Sequence, residues 1–235
     1  CSSDLQSHDG EGSLIYVSNS ALTARSLSIE NNTYLFFSAM NSTLAITDLS
    51  IQHISCMQPP HGCIVDGQGL DVTIDNLRGN NIVSGGYVAF FSLQNSPRFS
   101  LTNSNLRDLS GLSSGAVLNF LQVGRVLVEL NITNFDGPIM TATDIDNFLL
   151  NNSVILEQNF SKAAIDCSSC DNFYIGYSNF TNLPIVVRSN GLLQLDGCPT
   201  CTLVIEESSF SHYVSTDYGG VARIHDYYVE IKNSI

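Results

Sequence analysis

The 235-residue chain carries 9 Lys and Arg against 22 Asp and Glu, a net charge of −13, which argues against the basic face that nucleic acid or an anionic membrane would need. Only 13% of residues are charged while 43% are hydrophobic, so the surface is polar without being ionic, as on many secreted carbohydrate-rich proteins. There is no run of 18 apolar residues for membrane insertion, and no sustained 3.6-residue periodicity to support long helices.

No linker-like stretch divides the chain, and a single domain over residues 1–235 is expected. Residues 1–14 lack the pattern described next and read as a lead-in. Cys1-Ser2-Ser3 resembles the mature N-terminus of a processed bacterial lipoprotein, the alternative being simply the start of the sequence. The organising stretch is Leu203-Val-Ile-Glu-Glu-Ser-Ser-Phe210, with the pattern apolar, any, apolar, any, any, Ser, any, apolar. It recurs at Ile15–Leu22, Leu44–Ile51, Leu70–Leu77, Phe99–Leu106, Val128–Phe135, Phe148–Ile155 and Phe173–Phe180, and a ninth copy opens at Val229 and stops at Ile235. Copies start 20 to 30 residues apart, a period that signals a solenoid.

Side chains alternate along a strand, so the first and third motif residues share a face and are assigned inward. The sixth position carries Ser20, Ser104, Thr133, Ser153, Ser178, Ser208 and Ser234, read as a hydroxyl ladder at a bend. The seventh carries Asn76, Asn105, Asn134 and Asn179, read as an Asn column at the turn, where left-handed backbone is tolerated. A second apolar run follows in most copies, such as Tyr87–Phe91 and Pro184–Val187. The predicted fold is all-β: a right-handed parallel β-helix of about eight to nine coils with about 27 residues per coil. A pattern that ends mid-copy reads as a fragment of a longer parent chain or as a subunit whose coils stack head to tail on another copy.

The periodic motif, followed by Gly219-Gly-Val-Ala222 or Ser114-Gly-Ala-Val117, resembles the pectin-lyase-like β-helix superfamily. The nearest likeness is to adhesin-type and protist surface-protein repeats, and it covers residues 15–235. The resemblance implies the fold and, among relatives, either surface adhesion or polysaccharide cleavage.

There are seven cysteines. Cys167-Ser-Ser-Cys170 and Cys198-Pro-Thr-Cys201 are offset by about one coil and should lie nearly on top of each other. They could form disulfides within each pair, disulfides between coils, or a four-thiolate zinc site. Cys56 and Cys63 bracket a loop with Pro59-Pro60-His61, and His53 lies nearby. A local disulfide and a Cys2His2 zinc site are the two readings there. Cys1 is left over. Six N-glycosylation sequons stand at Asn31, Asn41, Asn131, Asn151, Asn159 and Asn179. Asn131 and Asn151 are assigned the same outward fourth motif position.

Catalysis on a polysaccharide needs carboxylates facing one cleft. Asp71 with Asp75 and Asp144 with Asp146 offer outward acids, and Asp66-Gly-Gln-Gly69 resembles a turn in β-helical glycoside hydrolases, but no catalytic motif accompanies them. Arg223-Ile-His225 is a partial echo of a substrate-binding Arg-Ile-Lys. A Tyr-rich patch of His212, Tyr213, Tyr218, Tyr227 and Tyr228 could pack or stack on sugar.

The expected function is a structural or adhesive extracellular protein, a disulfide-stapled and glycosylated β-helical rod at the cell surface that stacks into filaments. A polysaccharide hydrolase or lyase and a carbohydrate-binding module are the alternatives. No catalytic residue, metal or cofactor is assigned beyond covalent N-glycans, with calcium or zinc as alternatives. Partners are expected to be a second copy, a longer parent chain or glycans, not nucleic acid and not the membrane interior.

Overall fold

A computed structural model describes residues 15–31, 33, 36–56, 63–84, 89–112, 116–158, 163–183, 192–213 and 221–235, with the side chains at 157–158, 182–183, 198–199 and 212–213 excepted. The chain is an all-β parallel solenoid of about seven turns, about 26 residues apart. Strands β1 (Ile15–Ser18), β3 (Phe37–Met40) and β5 (Val65–Gln68) start the first face. It continues through the opening residues of β7 (Phe91–Ser110), β8 (Leu118–Phe135), β9 (Met140–Asn151), β11 (Ile165–Gly176), β13 (Leu193–Glu206) and β15 (Ala222–Lys232). The second face begins with β2 (Ala21–Glu30), β4 (Thr43–Cys56) and β6 (Asp71–Ser84) and runs on along the later parts of β7, β8, β9, β11, β13 and β15. The third face takes the ends of β2, β4, β6, β7 and β8, then β10 (Val154–Gln158), β12 (Asn179–Leu183) and β14 (Ser209–Tyr213).

Strand β4 shows how the sequence bends into a winding. Its buried residues are Leu44, Ile46, Leu49, Ile51, Ile54 and Cys56. Alternation runs at period two but slips by one residue twice, at Asp48 and His53, and both have left-handed φ (58° and 53°). A left-handed residue turns the strand and returns the next apolar side chain to the interior. The slip recurs at three corners. The first holds Asn19, Asn41, Gly69 and Asn95, the second Ser26, Asp48, Asn76 and Asn103, and the third Asn31, His53, Asn81, Asp108 and Asn134. Asn and Asp dominate because their short polar side chains tolerate this geometry and bond locally.

Stacked windings put like on like. Phe148 stacks on Phe173 at 4.3 Å between ring centroids, and Phe180 on Phe210 at 4.9 Å. The inward file Ile46, Ile74, Leu101, Val128, Leu150, Ile175 and Ile205 is continuous in register and wholly buried. The hydroxyl ladder is present at the second corner in Ser104, Ser153, Ser178, Ser208 and Ser234, whereas Ser20 stands at the first corner beside Ser42 and Thr133 points outward from the third face, so these two do not join it. Ser178 Oγ donates to Gly176 O (2.8 Å) and accepts from the backbone N–H of Ser153 (3.2 Å); Ser208 Oγ does the same with Glu206 O (2.8 Å) and the Ser178 N–H (3.2 Å). Each hydroxyl satisfies two backbone groups that the corner strips from the sheet ladder.

The register corrects several expectations. The turn count is about seven, because the eight to nine motif copies included partial windings at either end. The copies at Ile15, Leu70 and Val128 were out of phase. Val17 lies opposite Ala39 on the first face, Val72 opposite Leu44 and Phe99, and Leu130 opposite Ser104, so these three third motif residues stand outside the file that Ile46, Leu101, Leu150, Ile175 and Ile205 share. The physical reason at Leu130 is a missing corner residue: Leu101 pairs with Val128 and Ser104 with Leu130, so β8 passes the second corner one residue short. Val126, Val128, Leu130 and Ile132 then alternate without a slip. The expected Asn column also divides. Asn76 sits at the second corner and Asn134 at the third, whereas Asn105 and Asn179 point outward from the third face.

The files imply a graded response to substitution. Leu101→Ala should cost about 2–5 kcal/mol in denaturant unfolding, Ser178→Ala about 1–3 kcal/mol from two orphaned backbone groups, and the outward Asn105→Ala no more than about 0.5 kcal/mol.

Candidate functional site

A shallow cleft of about 430 Å³ runs across the windings on the outer side of the second face. Strand alternation builds it from two adjacent outward files. One holds Arg125, Asn147, Asn172 and Thr202, the other Leu149, Tyr174 and Val204. The first file is an amide ladder. Asn172 Nδ2 donates to Asn147 Oδ1 and to Asp146 O, both at 3.2 Å, and Thr202 Oγ1 donates to Asn172 Oδ1 at 3.0 Å. Tyr174 Oη donates to Glu206 Oε2 at 3.1 Å; partial desolvation first, then the Glu206 carboxylate, raise its pKa above the ordinary phenol value. Arg125 has no ion pair among the described residues and stands at one end of the ladder.

This arrangement offers amide donors and acceptors beside aromatic and aliphatic surface, with one cation at the end. It suits holding an elongated polyhydroxylated ligand and contains no nucleophile–base pair. The signal in the sequence is the residue just before each first motif position: Asn147 before Phe148, Asn172 before Phe173, Thr202 before Leu203. Arg125 escapes that pattern because its motif copy is phased from Val126.

Two of the four candidate acids, Asp71 and Asp75, are taken up in the wall. Asp71 pairs with Arg98 at 2.8 Å. Asp75 accepts from Asn103 Nδ2 and Thr102 Oγ1, each at 2.8 Å, and these bonds lower its pKa below the ordinary carboxylate value, against a small opposing desolvation. Asp144 occupies a first-corner position with φ 56°, and Asp146 is exposed two residues on. The Asp66-Gly-Gln-Gly69 segment is structural. A Cβ at Gly67 would overlap the Ala39 carbonyl oxygen, and Gly69 turns the first corner at φ +66° against Asn41. His225 on β15 lies 3.1 Å from Asp196 and 3.3 Å from Asp226, both exposed contacts.

The cysteines pair locally. Cys56 bonds Cys63, and Cys167 bonds Cys170; Cys201 is also disulfide-bonded. The inter-coil pairing of Cys167 with Cys198 is therefore not formed, and Cys56, Cys63, Cys167, Cys170 and Cys201 are all disulfide-bonded, so none of these five is a free thiolate for either zinc arrangement. The two Cys-x-x-Cys segments are not superposed either. Cys167 lies opposite Leu195, and the register shifts between Ser168 and Asn172. Cys198's side chain, Cys1 and His61 lie outside the described residues. Among the described residues, no group of three His, Cys, Asp or Glu could hold a metal ion. No described helix is long and apolar enough to cross a membrane.

The Tyr-rich patch separates. Tyr228 is exposed, while the ring of Tyr227 packs over Gly197 and its hydroxyl donates to Cys170 O at 2.5 Å. Tyr218 and the His212 and Tyr213 side chains lie outside the described residues. Of the sequons, Asn31, Asn41, Asn131 and Asn179 are exposed, Asn151 is half-buried, and Asn159 lies outside the described residues. Asn131 pairs in register with Asn105 and Val154, and Asn151 with Gly176, so the two do not share the outward position expected of them.

Comparison with known protein families, curated proteins and solved structures finds no match. The site is therefore read from its own geometry.

Tyr227 has a measurable signature. Burial, the largest cause, pushes its pKa up to about 12, so the folded state holds the phenolic proton more tightly than the unfolded chain does. Stability should be full below about pH 10, the unfolded phenol value, and fall as pH rises from there toward 12. Tyr227→Phe should lose about 1 kcal/mol at pH 8 from the missing hydrogen bond and show a flatter alkaline profile in urea titrations.

Proposed function

We propose that the chain is a rod-forming structural or adhesive segment of an extracellular protein, of the pectin-lyase-like surface-protein kind. The observation that carries this reading is the interlocked outer wall. Polar side chains on successive windings bond one another, as in Asn76 to Asp48 at 2.5 Å, Asn134 to Asp108 at 2.6 Å and Asn233 to Glu207 at 2.9 Å. Such a wall is polar yet takes its groups up in itself, which suits a rigid spacer better than a reaction centre. Local disulfides at Cys56–Cys63 and Cys167–Cys170 support an oxidising compartment. Outward sequons support a glycosylated surface. On β15, Val229 and Ile231 continue inward files yet are 40% and 62% exposed, an apolar edge in register for a winding of a second copy.

The reading is tested by incubating the purified, oxidised protein with neutral and acidic polysaccharides. No release of reducing ends or unsaturated products above a buffer control is expected. Release that disappears on substituting Asp71, Asp75, Asp144 or Asp146 would replace the structural reading with an enzymatic one.

The second-face cleft favours one other reading, a carbohydrate-binding module, because the amide ladder and Tyr174 lie side by side. On that reading a glycan array gives a discrete set of hits, and Tyr174→Ala weakens them about fivefold, in line with loss of one aromatic contact of about 1 kcal/mol. An array without hits would leave the structural reading alone.

A further inference from the structure

Two of the described sequons lie wholly within strands of the third face, Asn131–Thr133 in β8 and Asn179–Thr181 in β12. In Asn131-Ile132-Thr133 the central Ile132 is buried, so Asn131 and Thr133 both point out of the third face. Asn179-Phe180-Thr181 repeats this, with Phe180 buried. The two sequons are also in register: Asn131 pairs with Val154 and Val154 with Asn179, while Thr133 pairs with Leu156 and Leu156 with Thr181. The acceptor asparagines thus stand in one outward file two windings apart, about 10 Å by strand spacing.

We propose that Asn131 and Asn179 are a matched pair of N-glycan acceptors that make the third face the sugar-bearing side of the rod and leave the second-face cleft bare. The inference rests on the extracellular reading above and adds the face to it. In the transfer, Asn Nδ2 attacks the anomeric carbon of a lipid-diphosphate-linked oligosaccharide. The new C–N bond replaces the C–O bond to the diphosphate, which leaves with the lipid, and the amide gives up one proton.

Attachment precedes folding, so the fold decides which glycans a native chain can carry. At Asn179, Oδ1 accepts from Thr181 Oγ1 at 2.7 Å and from Ser209 Oγ at 3.0 Å. These bonds orient the amide by its oxygen and leave Nδ2 as the outward atom. Asn131 is exposed with no other role in the wall. The sequon of Asn151 is different. Its Ser153 is buried, donates to Asn151 O at 2.9 Å and accepts from the Leu130 N–H at 3.0 Å, so it belongs to the hydroxyl ladder. Asn41 is a left-handed corner residue whose Nδ2 donates to Asn19 Oδ1 at 3.5 Å and whose side chain covers Gly69. A glycan there would take the amide out of the corner stack.

The test expresses the full chain behind a secretory leader in a eukaryotic host, with glycopeptide mapping of the secreted, disulfide-bonded protein. Asn131→Gln and Asn179→Gln should each remove one glycan mass. Asn151→Gln and Asn41→Gln should remove none. Thr133→Ala and Thr181→Ala abolish the same two sequons without touching the asparagines and should give the same mass losses. Secreted protein whose mass is unaffected by the Asn131 and Asn179 variants, or which carries glycan at Asn151 as often as at Asn131, overturns the proposal. Failure of the extracellular reading shows differently, as free thiols at Cys56, Cys63, Cys167 and Cys170 in protein taken from its natural source.

Discussion

The fold depends on parallel register held from winding to winding. Backbone hydrogen bonds between successive strands place each residue beside its counterpart one turn away, and every inward file of Leu, Ile, Val and Phe follows from that placement. A slip of one residue would turn an inward file outward, since side chains alternate. Register is defended in two ways. Left-handed corner residues reset the alternation at fixed places, and buried Ser hydroxyls tie each corner to the next. Neither device reaches beyond the adjacent winding, so stability accumulates by near-neighbour terms as in other solenoids.

The same logic organises the exterior. Outward files carry polar side chains that bond along the rod axis: Asp48 to Asn76, Asp108 to Asn134, Asn147 to Asn172 to Thr202. Three faces result with different surface chemistry. The second offers an amide and aromatic cleft ending at Arg125, and the third presents paired sequons at Asn131 and Asn179. If the two proposals hold, a sugar-bearing face apart from a contact face would let one solenoid be both solvated and adhesive.

The repeat, the all-β class, the parallel stacking and the inward assignment of Phe173, Ile175, Leu203 and Ile205 were legible in the sequence because a period-two pattern leaves a plain trace of buried and exposed positions. Phase was less legible. An eye following apolar–any–apolar accepts Val128–Leu130 as readily as Val126–Val128, and only the pairing of Leu101 with Val128 decides. The corners were misplaced for a related reason. Ser and Asn both mark turns, but the left-handed residue is the one before the inward Ser, as at Asn103 beside Ser104, Asn152 beside Ser153 and Tyr177 beside Ser178. Tyr177 and Glu207 in that role have no compositional signal at all. The local disulfides at Cys56–Cys63 and Cys167–Cys170 were among the readings the spacing allowed, and spacing alone could not choose between local and inter-coil bonds. The cleft escaped notice because its residues are dispersed in sequence, from Arg125 to Val204, and meet only through stacking.

The central claim is that one outward file runs Ser28, Ser50, Arg78, Asn105, Asn131, Val154, Asn179 and Ser209 at one strand spacing per step. Pulsed electron paramagnetic resonance between a spin label at Ser209 and a second label at Ser28, Ser50, Arg78 or Asn105 measures this directly. The account predicts distances of about 34, 29, 24 and 19 Å, falling by one strand spacing of about 4.8 Å per winding. Distances that do not shorten in that order, or that scatter without a constant step, would contradict it.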